Sequence, residues 1–163
     1  MHIIIKKKYL FFKDYKVKCA IGKRGIAVKK SEGDLITPKG VFKIKFLLYR
    51  KDRIKNLKTD LKKLPITKKM GWCDDFRSKK YNKLIKFPFK FNSENIYRQD
   101  NVYDLILVLN YNMNPIKKNR GSAIFIHVAK NNYKSTKGCV AVKKRKLLTL
   151  VAELKKNTKV KIC

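Results

Sequence analysis

Two residues of this chain can together perform nucleophilic chemistry: a cysteine, Cys139, preceded by glycine in Thr136-Lys-Gly-Cys139, and a histidine, His127, at the end of Ser122-Ala-Ile-Phe-Ile-His127. A thiol is mostly protonated at neutral pH, with an ordinary pKa of about 8.5, so an imidazole or a cation beside it is needed to produce a thiolate. His127 is placed to give that help. The chain has one other histidine, His2, which lies at a terminus expected to be mobile. The apolar run Ala123 to Ile126 reads as a buried strand that delivers His127 at its end. Gly138 allows a tight turn just before the cysteine, and the Thr136 hydroxyl helps to shape it. Backbone N–H groups in such a turn can converge on an oxyanion. Each residue alone reads more readily as structural, a buried core thiol or a histidine closing a strand; the pairing favours catalysis.

Several segments, in order, resemble one enzyme family. Arg120-Gly-Ser-Ala-Ile-Phe-Ile-His127 and Thr136-Lys-Gly-Cys-Val-Ala141 look like the active-site block of L,D-transpeptidases with the YkuD-type catalytic domain. Gly33-Asp-Leu-Ile-Thr-Pro-Lys-Gly-Val-Phe42 resembles that family's turn into a long strand. Gly71-Trp-Cys-Asp-Asp75, Tyr81-Asn82 and Tyr103-Asp104 resemble a bacterial subgroup that carries these between the two blocks. The likeness spans nearly the whole chain, so residues 1–163 are expected to form one catalytic domain.

The resemblance implies acyl transfer on peptidoglycan stem peptides, with Cys139 as nucleophile and His127 as acid and base. Backbone N–H groups of Gly138 and Cys139 would hold the oxyanion, with Thr136 in the same turn. It also implies that a backbone carbonyl can orient the histidine, so no carboxylate is required. Asp74, Asp75 and Asp104 remain possible orienters, although Asp-Asp before Phe76 fits turn chemistry better. Many family members carry an arginine or asparagine shortly after the cysteine, where this chain has Val140-Ala-Val142. Arg120 can compensate by pairing with a stem-peptide carboxylate through its planar fork, or it can be an exposed loop charge. Trp72, Asp74 and Tyr81 are further candidates for contact with substrate. A hydrolase that uses the same two residues, such as an L,D-carboxypeptidase, shares the acyl-enzyme and is not separable by sequence. No cofactor or metal is implied. A zinc site from Cys73, His127 and Cys139 matches no compact ligand spacing.

Composition bounds these readings. At 163 residues with 44% hydrophobic residues, the chain suits a single globular domain. The formal net charge of +32 would suit a polyanion-binding protein without catalysis. Lysines are dispersed along nearly every element, however, and no nucleic-acid reader motif is present, so specific nucleic-acid binding is not expected. No transmembrane run is seen, and Lys6-Lys-Lys8 interrupts the apolar start, so no signal peptide is read there. The family resemblance nonetheless implies a periplasmic or cell-wall location, and a monomer is expected. The four cysteines are irregularly spaced and suggest no disulfide framework.

Strand-like runs dominate the elements that must position the two residues. Ile3 to Ile5, Tyr9 to Phe12, Lys16 to Ile21 and Lys39 to Leu48 alternate or cluster apolar residues between turns. Lys51 to Lys69 reads as a short helix with a loop, or a mobile lid, because Leu57, Leu61 and Leu64 fall at helical spacing. Val102 to Tyr111 reads as a long central strand, and Asn110 to Gly121 as a loop. Leu147, Leu148, Val151 and Leu154 place an apolar stripe on a helix from Lys144 to Lys156, followed by a strand over Thr158 to Ile162. The expected fold is mainly β, with one or two short helices and mixed sheets. Its arrangement as a YkuD-like β-sandwich is implied by the resemblance alone.

Overall fold

A computed structural model describes residues 2–163. The chain opens with β1 (His2–Lys6), β2 (Tyr9–Phe12) and β3 (Tyr15–Ala20), followed by the short β4 (Ile26–Ala27) and β5 (Thr37–Pro38) and the long β6 (Gly40–Tyr49). The middle holds β7 (Lys63–Pro65), β8 (Met70–Cys73), β9 (Leu84–Lys86), β10 (Ser93–Asn95) and β11 (Leu105–Leu109). Then come β12 (Phe125–Val128), a 3-10 turn at Asn131–Tyr133, β13 (Val140–Val142), the helix α1 (Lys144–Glu153) and β14 (Lys159–Ile162).

Strict alternation drives the first strands: Ile3, Ile5, Leu10 and Phe12 are buried while their neighbours face out or are only partly covered. Lys7 and Lys13, with φ of 54° and 49°, make the tight turns between β1, β2 and β3. The main sheet runs β11-β12-β13-β3-β2-β1-β14-β6-β7, with β7 a short edge strand, and β6 pairs with β11 as well. That second pairing closes an eight-strand mixed barrel, so the expected sandwich is corrected to a barrel. The reason lies in β6, whose length lets it serve two neighbours: Gly40 to Lys43 pair with β14, and Ile44 to Tyr49 pair with β11. One strand makes the seam.

Inside the barrel, Leu105, Leu107 and Leu109 of β11 meet Ile126 and Val128 of β12 and Val140 and Val142 of β13. The alternate residues point outward, where Ile106, Val108 and Phe125 form a second apolar cluster with Leu48, Trp72 and Ile96. A three-stranded sheet, β10-β8-β9, covers this outer face. The packing is close: Trp72 meets Phe125 edge-on with ring centroids 5.2 Å apart. The β11 run is therefore buried on both sides, as its unbroken apolar sequence predicts, though it is shorter than Val102 to Tyr111.

Two other expectations change. Lys51 to Lys69 forms no helix; it is a run of turns ending in β7, and Ile54, Leu57 and Leu61 join the barrel core while Leu64 packs in the outer cluster. The leucine spacing mimicked a helix, but Arg50 and Arg53 instead anchor the turn by donating to the carbonyl oxygens of Arg98, Gln99 and Asp100. His2 belongs to β1, paired opposite Lys159. The helix from Lys144 and the final strand appear as expected, with α1 ending at Glu153 and Leu150 buried where Leu148 is only partly so.

Candidate active site

β12 and β13 run parallel, with Ile126 opposite Val140 and His127 opposite Ala141. Side chains at opposed positions share a face, so His127, Ala141 and, two residues earlier, Cys139 all project from the outer side of the barrel. Burial of Ile126, Val128, Val140 and Val142 inside fixes this direction. His127 lies within the strand and not at its end, because β12 runs from Phe125 to Val128. Both His127 and Cys139 line one cavity of about 710 Å³ between the barrel, the small sheet and the Lys134 to Gly138 loop.

The histidine is held by backbone. Its Nδ1 lies 2.9 Å from the carbonyl oxygen of Val128, which can only accept, so Nδ1 carries the proton and Nε2 keeps its lone pair. Tyr103 packs edge-on against the imidazole with centroids 5.4 Å apart. Burial lowers the His127 pKa to about 4, with the Val128 bond working in the opposite direction. At neutral pH the ring is an uncharged base. Asp75 instead binds Arg77, and Asp104 is paired with Arg53 and Lys144. Neither orients His127.

Cys139 Sγ donates to the carbonyl oxygen of Ala123 at 3.1 Å and accepts from the Phe125 N–H at 3.4 Å. Burial raises its pKa to about 12, and the charge of Glu94 adds to the rise. Thiol and imidazole are thus both neutral at rest. Lys29, buried and paired with Asp34 at 2.5 Å, opposes the rise. No sequence pattern singled Lys29 out, since one lysine among so many carries no local signal.

Thr136 ties the turn on both sides. Its Oγ1 donates to the Cys139 carbonyl oxygen at 2.6 Å and accepts from the Gly138 N–H at 3.1 Å. The Gly138 amide, one of the two expected oxyanion donors, is therefore engaged within the turn. Gly138 itself has φ of +142°, and a Cβ there would meet the Ile36 carbonyl oxygen at 2.9 Å. Only glycine fits this backbone without strain.

Of the four candidates for substrate contact, Asp74 lines the cavity and the others do not. Trp72 is buried beneath it, its indole N–H donating to Asn82 Oδ1 at 3.0 Å. Tyr81 is also buried; its hydroxyl bonds to Glu32 and accepts from the Gly121 N–H. Arg120 stays on the exposed loop and donates to the Lys30 carbonyl oxygen. Cys73 is fully buried and lies outside the cavity. Asn82 links these pieces: its Oδ1 also accepts from the Ala123 N–H at 3.0 Å, and its amide donates to the carbonyl oxygens of Tyr111 and Asn112. Ala123, with φ of 52°, is thereby held where its carbonyl meets the thiol.

Comparison with known proteins identifies the family of the chain. The L,D-transpeptidase catalytic domain (YkuD) matches residues 3–162. Among solved structures, the chain is similar to Bd1075 of Bdellovibrio bacteriovorus, with 16% identity and a TM-score of 0.48, over 99% of this chain and 46% of that one. It thus spans less than half of that protein. No curated protein matches the sequence. The chain belongs to the L,D-transpeptidase catalytic domain family, YkuD, over nearly its full length.

Proposed function

We propose that the chain is a cysteine L,D-transpeptidase that acts on peptidoglycan stem peptides through a thioester on Cys139. The observation that carries this reading is an imidazole on β12 and a thiol just before the parallel β13, both facing one cavity, with the imidazole Nε2 left as a base by the Val128 contact. The thiol turns from the Ala123 carbonyl by rotation about its Cα–Cβ bond and gives its proton to His127 Nε2 as sulfur attacks the carbonyl carbon between the third and fourth stem residues. Negative charge moves to the carbonyl oxygen, where the Cys139 N–H stabilises it; one such donor contributes about 3 kcal/mol. Collapse breaks the C–N bond, and the imidazolium returns its proton to the departing amine. An acceptor amine then attacks the thioester, passes a proton to His127, and leaves the thiol restored.

His127 is neutral at rest and free to accept a proton. A base that is neutral at rest takes the thiol proton only when attack begins, so the reactive thiolate is not exposed beforehand. Water in place of the acceptor amine would give a carboxypeptidase by the same steps. Incubating the purified chain with muropeptides and an acceptor amine tests the assignment: crosslinked products are expected, and exclusively trimmed peptides would make it a hydrolase. A peptidoglycan substrate implies action outside the cytoplasm. Among the described residues, no helix is long and apolar enough to cross a membrane.

A further inference from the structure

Carboxylates are scarce in a chain with 43 lysines and arginines against 11 acidic residues, yet Glu32, Asp74 and Glu94 all line the cavity that holds Cys139. Two of them lie close together. Glu94 stands opposite Trp72 in the β8–β10 ladder, so both project from one side of the small sheet; Asp74, just past the end of β8, lines the same cavity, and its charge reaches Glu94. Trp72 packs on Phe125, which shows that this side faces the barrel. The Tyr103 hydroxyl donates to Glu94 at 2.5 Å, and the same tyrosine ring borders His127. Asp74 Oδ1 is buried with no hydrogen-bond partner.

A separate residue points to a ligand. Ser122 is only 6% exposed and lines the same cavity, and its Oγ makes no hydrogen bond although the Tyr81 hydroxyl is near. Such a buried hydroxyl is ordinarily satisfied.

Beside a nucleophile, these acids are unhelpful on their own. Burial raises the pKa of Asp74 and of Glu94, the charge of Asp74 raises Glu94 further, and Glu94 in turn opposes ionisation of Cys139. Arg98 and Lys137, whose charges favour ionised Glu94, do not bond to it: Arg98 is forked onto Asp100. Desolvated like charges of this kind are stabilised by a cation placed among them.

We propose that Asp74 and Glu94 form a subsite for a primary ammonium group of the substrate, the distal amine of a diamino acid in the stem peptide, with Ser122 Oγ accepting an N–H of the same ligand. This rests on the peptidoglycan reading above. An ammonium presents three donors and no acceptor, which matches the two carboxylates and not Lys29, Arg98, Lys130, Lys134 and Lys137, the basic residues that line the rest of the cavity. Its binding neutralises the acid pair and removes the charge that opposes the Cys139 thiolate, so occupancy of the subsite favours the chemistry next to it.

Fluorescence of Trp72, the only tryptophan in the chain, reports binding from the same sheet face. In the full chain carrying Cys139→Ser, which stops turnover, a stem tetrapeptide with a diamino third residue is titrated beside the same peptide acetylated on its distal amine. The free amine is expected to bind about tenfold more tightly. Glu94→Gln and, separately, Asp74→Asn are expected to bring the two affinities together. A tripeptide acceptor titrated in the same way separates donor from acceptor amine: whichever peptide shows the acetylation effect supplies the ammonium. Equal binding of free and acetylated forms of both peptides, or a ratio that survives both substitutions, overturns the subsite and leaves the proposed function standing. No binding of any stem peptide overturns both.

Discussion

The thiol of Cys139 donates to the carbonyl oxygen of Ala123 at 3.1 Å, and that carbonyl is fixed because the Ala123 N–H is held by Asn82. Asn82 in turn receives the Trp72 indole N–H, so the small sheet, the loop before β12 and the nucleophile are linked through one amide side chain. Removing it by Asn82→Ala leaves buried donors without acceptors. We expect stability to fall by about 2 kcal/mol and kcat/KM to fall about tenfold or more, read by thermal denaturation and by peptide turnover.

Thr136→Val keeps the shape of the turn and deletes both of its side-chain hydrogen bonds. The expected stability loss is about 1 to 2 kcal/mol. The rate of acylation should fall further than stability alone explains, because Cys139 loses its backbone tether. Comparing the rate of Cys139 acylation with the denaturation midpoint separates the two effects.

Gly138→Ala introduces a Cβ against the Ile36 carbonyl oxygen in a backbone region that alanine rarely adopts. We expect destabilisation of about 1 to 3 kcal/mol and loss of acylation, measured by urea unfolding and mass spectrometry.

Lys29 and Asp34 form a buried pair, with side chains 3% and 6% exposed. Lys29→Met leaves the Asp34 carboxylate without its cation, although the amides of Lys30, Ser31 and Ile36 still donate to it. An unpaired buried charge of this kind destabilises by about 3 to 5 kcal/mol. Chemical denaturation of the variant at neutral pH checks the figure.

His127 also ties stability to pH. Its folded pKa of about 4 lies below the ordinary value, so between the two the unfolded chain binds the extra proton. The stabilisation is full above about pH 6.5 and is lost as pH falls through about 4, amounting to about 3 kcal/mol. In His127→Gln that slope should flatten, as measured by denaturant midpoints across the window; an unchanged slope would show that the ring is not buried in its neutral form.

Much of this was legible in the sequence because it depends on local pattern. Alternation identified β1 and β2, and the apolar stripe identified α1. The glycine before Cys139 signalled the turn. Closure into a barrel was not legible, since it depends on β6 pairing with both β14 and β11 across long separations. The leucines of 51–69 misled for the same reason: tertiary contacts of Arg50 and Arg53 determine that segment, and helical spacing does not. His127 and Cys139 were found through residue type, whereas Lys29, Ser122 and Glu94 reach the cavity only by folding. Arg120 and Tyr81 carried plausible chemistry but lie outside it.

The most direct measurement is mass spectrometry of the intact chain after exposure to a stem tetrapeptide or a carbapenem acylating agent, followed by mapping of the adduct. We expect a single acyl group on Cys139, absent in His127→Ala, with Cys19, Cys73 and Cys163 unmodified. Adducts spread equally over the four cysteines, or none on Cys139 in the folded chain, would contradict a thioester mechanism at this site.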